Sequence, residues 1–422
     1  MSNETAKADE PVIYSPPMPL EKMDREESGR CDKCKRVCPV FDRTDAAVCV
    51  ISSDEYAPFA AVLVRSVIAN ISADKNYDIV ILSDDMLQRN RLRIEAMADD
   101  LDNVSVRVMD ISDIIKDFHF YTWAHFTPNT YYRLLAPDLF KAYKKVIYLD
   151  SDIVVNHDVA ELYATDLDGY MMAAAYDTHV VAYCTQNPPL EQREYNMKTL
   201  GLKNPEEYFQ AGVSLFNVEA LNKTYPSGYL IEQAASHKLR WLDQDLVNML
   251  FQGKIKRLPN KWNVMIANMP QFIDEYYLPA DLRTEYYEAR LAPYAVHYVG
   301  RAIPCYTCTP DLYEYFWKYA RQTVFYEILL QRMAVECSQK KAAETIDQMA
   351  QHIANLNAAI QQMQVQYNAL RQEHDKMYLS YQNTFRKKVR NRLTPLFNFL
   401  LPPGSRRRAS VRHLYNKLRG WE

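Results

Sequence analysis

Tyr148-Leu149-Asp150-Ser151-Asp152-Ile153-Val154-Val155 decides how this chain is read. Lys144-Lys145 followed by the apolar run Val146 to Leu149 reads as a buried strand with a polar entry, so the chain meets solvent at Asp150. Two carboxylates two residues apart at that exit can hold a hard divalent cation, and the cation can hold a phosphate. The tripeptide alone proves little, since it recurs at Asp166-Leu167-Asp168 and Asp243-Gln244-Asp245. The stretch Asp166 to Gly169 has ordinary turn chemistry. The pair at Asp150 instead ends a strand, the edge at which open α/β sheets place ligand chemistry. Helix capping or plain solvation is the competing reading of the same two residues.

Outward from that strand the pattern alternates. A continuous apolar run, Ala46 to Ile51, stops at Ser52-Ser53-Asp54-Glu55-Tyr56. A helix over Tyr56 to Asn70, a strand at Tyr77 to Leu82, a helix from about Met86 to Asp100 and a strand at Val104 to Met109 follow. Short connections between strand and helix imply a parallel, doubly wound sheet with helices on both faces. Further strands are expected at Met171 to Tyr176, Val213 to Phe216 and Ala295 to Tyr298, with helices near Glu219 to Asn222, Ser227 to His237 and Gln244 to Phe251. The looser middle reads as the part that builds an acceptor pocket.

Charge divides the chain. Residues 386–422 carry eleven Lys and Arg against Glu422 alone, so this tail is +10 and, with −3 overall, residues 1–385 are −13. An acidic body argues against nucleic acid as a partner, and a basic tail argues for an anionic surface. Met1 to Asp45 is polar and lacks the apolar core of a secretory signal, and no apolar run is long enough to span a bilayer. A cytoplasmic location follows as the expectation. Reduced thiols are then expected for the eight cysteines, at 31, 34, 38, 49, 184, 305, 308 and 337.

From Ile346 the spacing changes. Ile346, Met349, Ile353, Leu356, Ile360, Met363, Tyr367, Leu370, His374 and Met377 recur at alternating intervals of three and four, the seam of a coiled coil and hence of a homo-oligomer. One long helix packed on its own domain is the alternative. Beyond it Phe385 to Leu401 mixes basic residues with Val389, Leu393, Leu396, Phe397 and Phe399, too short to span and suited to lying on the inner membrane face, with RNA or an acidic protein as rivals. The expected division is a cysteine-containing leader (1–44), a catalytic domain (45–330), a coiled-coil helix (331–385) and a basic tail (386–422).

With the strand, the Asp150-Ser151-Asp152 turn and the alternation in hand, the stretch from about Ala46 to Pro304 resembles the family 8 retaining glycosyltransferases, which include bacterial lipopolysaccharide galactosyl- and glucosyltransferases and glycogenin. That resemblance implies a GT-A fold, a Rossmann-like mixed sheet with helices on both faces, using a UDP-sugar donor with Mn²⁺ or Mg²⁺. It places Ser53, Asp54 and Tyr56 at the uracil, and Arg133, in His125-Phe-Thr-Pro-Asn-Thr-Tyr131-Tyr132-Arg133, at the donor phosphate or sugar. It makes Asp150, Asp152 and His297 the metal ligands, with Ser151 beside them. Gln210, Ala211 and Gly212 fall at the donor sugar, with Gln210 where the family usually has Asn, and Asp177, Asp243 and Gln244 at the remaining positions of the sugar pocket. The chemistry of the residues agrees: guanidinium binds phosphate in a bidentate way, and oxygen donors with a distant imidazole suit a divalent ion. Gln244 stands where a nucleophile would be expected, but an amide is a poor one, so front-face transfer is favoured over a covalent intermediate on Asp243 or Asp177.

One segment departs from the family pattern. After His297-Tyr-Val-Gly300 the family commonly carries a Lys, whereas this chain has Arg301-Ala302-Ile303-Pro304-Cys305, leaving Arg301 as the candidate phosphate contact. The same departure creates Cys305-Tyr-Thr-Cys308, which with Cys31, Cys34 and Cys38 forms a candidate structural Zn²⁺ site, unconnected thiols being the alternative. The reading is a hexosyltransferase acting on a glycan or glycolipid acceptor of lipopolysaccharide or capsule synthesis. A catalytically silent scaffold and a metal-dependent UDP-sugar hydrolase are its rivals.

Overall fold

Ala46–Ile51 (β1) is apolar throughout because both of its faces are covered. Ala47, Cys49 and Ile51 pack into one core cluster and Ala46, Val48 and Val50 into another, as the two-residue period of a strand requires. The computed structural model describes residues 30–31, 36–123, 127–185, 191–267, 277–307, 311–339 and 342–418. These fall into two compact units, 1–341 and 342–422.

In the first unit β1 leads into helix α1 (Ala57–Ile68), then β2 (Tyr77–Ser83), α2 (Gln88–Glu95), β3 (Val104–Asp110), β4 (Lys145–Asp150) and the short β5 (Ile153–Val155). Next come β6 (Met172–Tyr176), α3 (Thr178–Thr185), β7 (Phe209–Asn217), α4 (Leu242–Leu250), β8 (Ile255–Arg257), β9 (Val264–Ala267) and β10 (Ala295–Val299). Seven strands form one sheet in the order β8-β6-β7-β4-β1-β2-β3, and β9-β10-β5 form a second, smaller sheet. The strands expected from the sequence are present, each within a few residues of its expected bounds.

The large sheet is mixed rather than wholly parallel, because β7 runs antiparallel to both β4 and β6. After β6 the chain stays at the carboxyl end of the sheet: the Asp177 N–H donates to the Tyr208 carbonyl at 2.8 Å, so β7 starts where β6 stops and must run back. The strand expected at Val213 therefore begins at Phe209, and Gln210, Ala211 and Gly212 are strand residues at the functional edge.

Asp78, on β2, shows how a charge is accommodated in this core. It is fully buried, but Arg107 on β3 pairs with both carboxylate oxygens at 2.7 and 2.8 Å and Tyr143 donates at 2.5 Å. Arg107 also donates to the Cys38 carbonyl, and the Val40 N–H donates to Asp78, which ties the end of the leader to the sheet.

The second unit contains α5 (Ala342–Leu400), 59 residues long with Pro395 near its end, and α6 (Arg406–Leu418). Along α5 the seam residues Ile353, Leu356, Ile360, Met363, Tyr367, Leu370 and Met377 are all exposed. No described helix is long and apolar enough to cross a membrane.

Candidate active site

Strand register brings the site together. Ile51, the last residue of β1, pairs with Asp150, the last of β4, so the Ser52 to Tyr56 loop and the acidic turn leave the sheet side by side. Leu149 pairs with Val213, which sets Gly212 next to Asp150 from the other flank. The chain leaving the turn becomes β5, whose Ile153 pairs with His297 on antiparallel β10, and the Tyr298 N–H donates to the Asp152 carbonyl at 3.1 Å. A histidine 145 positions from Asp152 is thereby fixed over the turn.

The ligand atoms of Asp150, Asp152 and His297 lie within 4.8 Å of one another. His297 Nε2 is 3.2 Å from Asp152 Oδ1 and 3.6 Å from Asp150 Oδ2. Burial opposes protonation of this imidazole, but Asp152 and then Asp150 outweigh it and hold its pKa above the usual histidine value. A cation between the carboxylates would take up that charge and leave neutral imidazole, the ligating form. The ring is oriented for this: Nδ1 faces Asn263 Oδ1 at 3.0 Å, which makes Nδ1 the donor and frees the Nε2 lone pair. Asn263 in turn donates to Gln210 Oε1 at 2.5 Å, and the same oxygen accepts the Gly212 N–H at 2.6 Å. Gln210, assigned from the sequence to the donor sugar, thus spends its carbonyl on holding the histidine's partner.

The residues fit a divalent ion on a further count. A Cβ added to Gly212 would lie 2.4 Å from His297 Cε1 and 2.5 Å from Asp150 Oδ2, so only glycine leaves the space between them open.

Arg133 lies beneath this turn, 7% exposed. Its Nη2 is 3.1 Å from Asp150 Oδ1, its Nε is 2.7 Å from Asp243 Oδ2, and its guanidinium sits 4.6 Å over the Tyr148 ring. Tyr148 also donates to Asp150 Oδ1 at 2.5 Å, so that oxygen is occupied and Oδ2 is the one presented to His297. Burial works against the charge on Arg133, yet Asp150 and Asp243 keep it firmly protonated.

Asp243 is 1% exposed, and neither of its oxygens accepts a hydrogen bond among the described residues, because the Arg133 Nε–H is directed to the Thr130 carbonyl. Burial therefore pushes its carboxyl up to about 7 against the pull of Arg133. A carboxyl raised in this way contributes its full stability below the unfolded value of about 4 and loses it as pH rises through 7. The melting temperature of metal-free Asp243→Asn, measured relative to wild type, should accordingly climb between about pH 4 and pH 7 and level off above. A difference that stays flat over that window would place Asp243 in the ordinary carboxylate range.

Gln244 bridges two elements: its Oε1 accepts the Ala211 N–H at 3.1 Å and its Nε2 donates to Asp177 Oδ2 at 2.9 Å. Asp177 Oδ1 accepts the N–H groups of His179 and Val180 at the start of α3. Leu242, just before Asp243, has φ +49, an uncommon conformation for a branched residue, and it turns the chain into α4 so that Asp243 and Gln244 face the sheet edge.

At the nucleotide end Asp54 also has a structural task. Asp54 Oδ1 accepts from the Leu87 N–H and from Asn90 Nδ2 at 2.9 and 2.8 Å, anchoring the start of α2, and Ser53 Oγ accepts the Tyr56 N–H at 3.3 Å. The Tyr56 ring packs edge-on against Phe59 with centroids 5.2 Å apart. Ser151 is 9% exposed within the turn.

Gly300 has φ +64 and opens the turn Gly300–Ala302, which carries the Arg301 backbone, while the Arg301 side chain lies outside the described residues. Ile303 is fully buried with Phe59, Tyr298 and Phe316, so its apolar character serves the core. Cys305 lies in the same cluster, where burial pushes its thiol up to about 12. Zinc bound there would have to displace the thiol proton. Cys38 is a half-buried free thiol on the segment tied to β2 and β3. The side chains of Cys31, Cys34 and Cys308 lie outside the described residues.

Asn263 and Tyr148 bond to the site's side chains, and the His179 N–H is held by Asp177, although sequence reasoning gave these residues no role. Tyr148 lay in plain view two residues before Asp150, on the same side of the strand. Nothing in the sequence marks Asn263, whose importance comes only from the register that brings β9 beside β10.

A mixed sheet with this strand order and an Asp-Asp-His triad at its carboxyl edge defines a glycosyltransferase of the GT-A type. The model of glycosyl transferase family 8 matches residues 47–304, well over half of the chain, and the protein belongs to that family. A putative glycosyltransferase of Haemophilus influenzae is 28% identical over 219 residues, 51% of this chain and 62% of the relative. A lipopolysaccharide 1,2-glucosyltransferase of Escherichia coli is 31% identical over 157 residues, 35% of this chain and 43% of the relative. Among solved structures, the bifunctional glycosyltransferase WbbM superimposes with a TM-score of 0.64 at 31% identity, covering 70% of this chain and 53% of its own. The chain thus spans less than two thirds of the length of each of these three proteins.

Proposed function

We propose that the protein is a metal-dependent retaining hexosyltransferase that moves glucose or galactose from a UDP-sugar to a glycan or glycolipid acceptor of surface polysaccharide synthesis. The observation that carries this reading is the convergence of Asp150 Oδ2, Asp152 and His297 Nε2 around the space that Gly212 leaves open. Asp150, Asp152 and His297 would hold Mn²⁺ or Mg²⁺, which supplies positive charge against the departing diphosphate. Arg133 lies beside Asp150 to add charge on the same side. Ser53, Tyr56 and Gly300 border the nucleotide end, with Arg301 on the same turn.

Front-face transfer suits the two carboxylates once considered as nucleophiles. Asp243 is enclosed against Arg133, and Asp177 has both oxygens occupied, one by backbone N–H groups and the other by Gln244. Gln244 then acts by fixing the Ala211 backbone and Asp177 rather than by attacking.

A screen of UDP release from UDP-glucose and UDP-galactose, with manganese and with or without membrane extract, tests the reading. Metal-dependent release from one hexose, raised by extract, is the expected result. Release indifferent to extract would favour a hydrolase, and UDP binding with no release from any donor would favour a silent scaffold.

The exposed apolar seam of α5, with Ile353, Ile360 and Tyr367 alternating with Leu356, Met363 and Leu370, supports a coiled coil between copies of the chain. The basic α6 supports attachment to an anionic membrane, hence a peripheral place on the inner face. Deleting residues 386–422 should abolish co-sedimentation with phosphatidylglycerol vesicles and leave UDP release from the soluble enzyme within about twofold. Undiminished sedimentation would remove the tail from membrane binding.

A further inference from the structure

His179 sits in the first turn of α3, directly after the carboxyl end of β6, and is 9% exposed. Its Nε2 is buried and has no hydrogen-bond partner among the described residues. Such an atom costs free energy unless something completes it, and buried ring nitrogens in folded proteins are nearly always paired. The hydroxyl of the preceding Thr178 is buried and unpartnered as well. Two adjacent polar groups lacking partners, next to Asp177 and Gln244 whose side-chain oxygens and nitrogen are bonded, mark a place that a polar ligand fills.

The surroundings say which part of the ligand. The His179 backbone is held by Asp177, whose other oxygen holds Gln244. The ring lies within electrostatic reach of both Asp177 and His297. Through Asp177 and Gln244 the residue is joined to Ala211, which precedes the Gly212 that leaves the metal site open, so it borders that site on the side of the Ala211 segment. A group carried beyond the metal-bound diphosphate is the part of the ligand placed to meet it. Burial pushes its pKa below the ordinary histidine value, against the pull of Asp177, so the ring is neutral and Nε2 can exchange a hydrogen bond with a hydroxyl in either sense.

We propose that His179 Nε2 hydrogen-bonds a ring hydroxyl of the donor hexose and makes His179 a specificity-determining residue for the sugar. The proposal rests on the UDP-sugar reading above and deepens it. Glucose and galactose differ only in the orientation of one hydroxyl, and a buried site built to bond a hydroxyl discriminates strongly against the sugar that leaves it unpaired.

Calorimetric titration of the full chain with UDP, UDP-glucose and UDP-galactose in the presence of Mn²⁺ tests it without requiring turnover. In His179→Phe, which keeps a flat ring and removes the nitrogens, affinity for the preferred UDP-hexose should fall roughly ten- to hundredfold while that for UDP stays within about twofold. His179→Gln, which puts a hydrogen-bonding amide in place of the ring, should recover part of the loss and shift the glucose-to-galactose preference, and it carries the test alone if the Phe variant does not fold. Unchanged UDP-hexose affinity would overturn the proposal, and so would a parallel fall for UDP and UDP-hexose, which marks a structural role. Intact donor binding with loss only of transfer to saccharide acceptors would put the hydroxyl on the acceptor and overturn the donor assignment. If wild type binds no UDP at all, the UDP-sugar reading fails first, an outcome distinguishable from failure of His179 alone.

Discussion

Replacing Asp152 by Asn should lower UDP release from the preferred UDP-hexose by about 10³-fold while leaving the protein folded. The side chain keeps its shape and one oxygen donor, so packing is unaltered. What disappears is one of two negative charges facing His297 Nε2, the atom 3.2 Å from Asp152 Oδ1. A hard divalent ion binds largely through such charges, and the several kcal/mol it contributes to a leaving diphosphate correspond to a loss of that size. Below the raised pKa of His297 the metal-free variant should be less stable than wild type, because Asp152 is the chief partner of the imidazolium, and the difference should shrink as pH rises through that pKa. The wild-type melting temperature should increase with added manganese, whereas that of the variant should not respond at millimolar metal. Retained activity and a retained manganese response would remove Asp152 from the metal site.

Gly212→Ala should be nearly as damaging, by about 10²-fold, although it changes no charge and no ligand. The added Cβ falls 2.4 Å from His297 Cε1 and 2.5 Å from Asp150 Oδ2, distances at which something has to move. Neither neighbour yields cheaply: His297 is held through Nδ1 by Asn263, and Asp150 is held through Oδ1 by Tyr148 and Arg133. The methyl group thus forces apart the two ligands that have to converge. Manganese affinity should fall together with activity. In a His297→Ala background the same substitution should cost little more activity, since the convergence it spoils is already lost and Asp150 can move into the space the ring leaves, and this non-additivity separates misplacement of the ligands from general destabilisation. Equal effects in both backgrounds would mean that Gly212 is required by the strand alone.

Much of this architecture could be read in the chain because its signals are local. Val146 to Leu149 is apolar at every position since both faces of β4 are buried, and the exit to solvent at Asp150 is visible as the abrupt end of that run. The resemblance carried His297 to Asp150 and Asp152 across 145 positions, a pairing that spacing could not have supplied. What stayed hidden depends on register. The reversal of β7 arises from the chain remaining at the carboxyl end after Asp177, and no residue between Asp177 and Phe209 announces it. Asn263 and His179 matter through partners far away in sequence. The same limit explains Asp54 and Cys305. An acidic residue in a strand-end loop reads equally well as a base contact and as an anchor for the next helix, and the bonds from Leu87 and Asn90 to one oxygen of Asp54 come from a segment more than thirty residues away. A Cys-x-x-Cys pattern does not reveal that its first thiol points into an aromatic core.

The central claim is that Asp150, Asp152 and His297 bind a diphosphate through a divalent ion. Calorimetric titration of UDP into the full chain, with saturating manganese and again with chelator, tests it most directly when repeated on Asp152→Asn. The account predicts tight UDP binding by wild type with manganese, weaker by at least about tenfold with chelator, and equally weak binding by the variant under both conditions. UDP affinity that is the same with and without manganese, or a variant that still shows the full manganese effect, would contradict it.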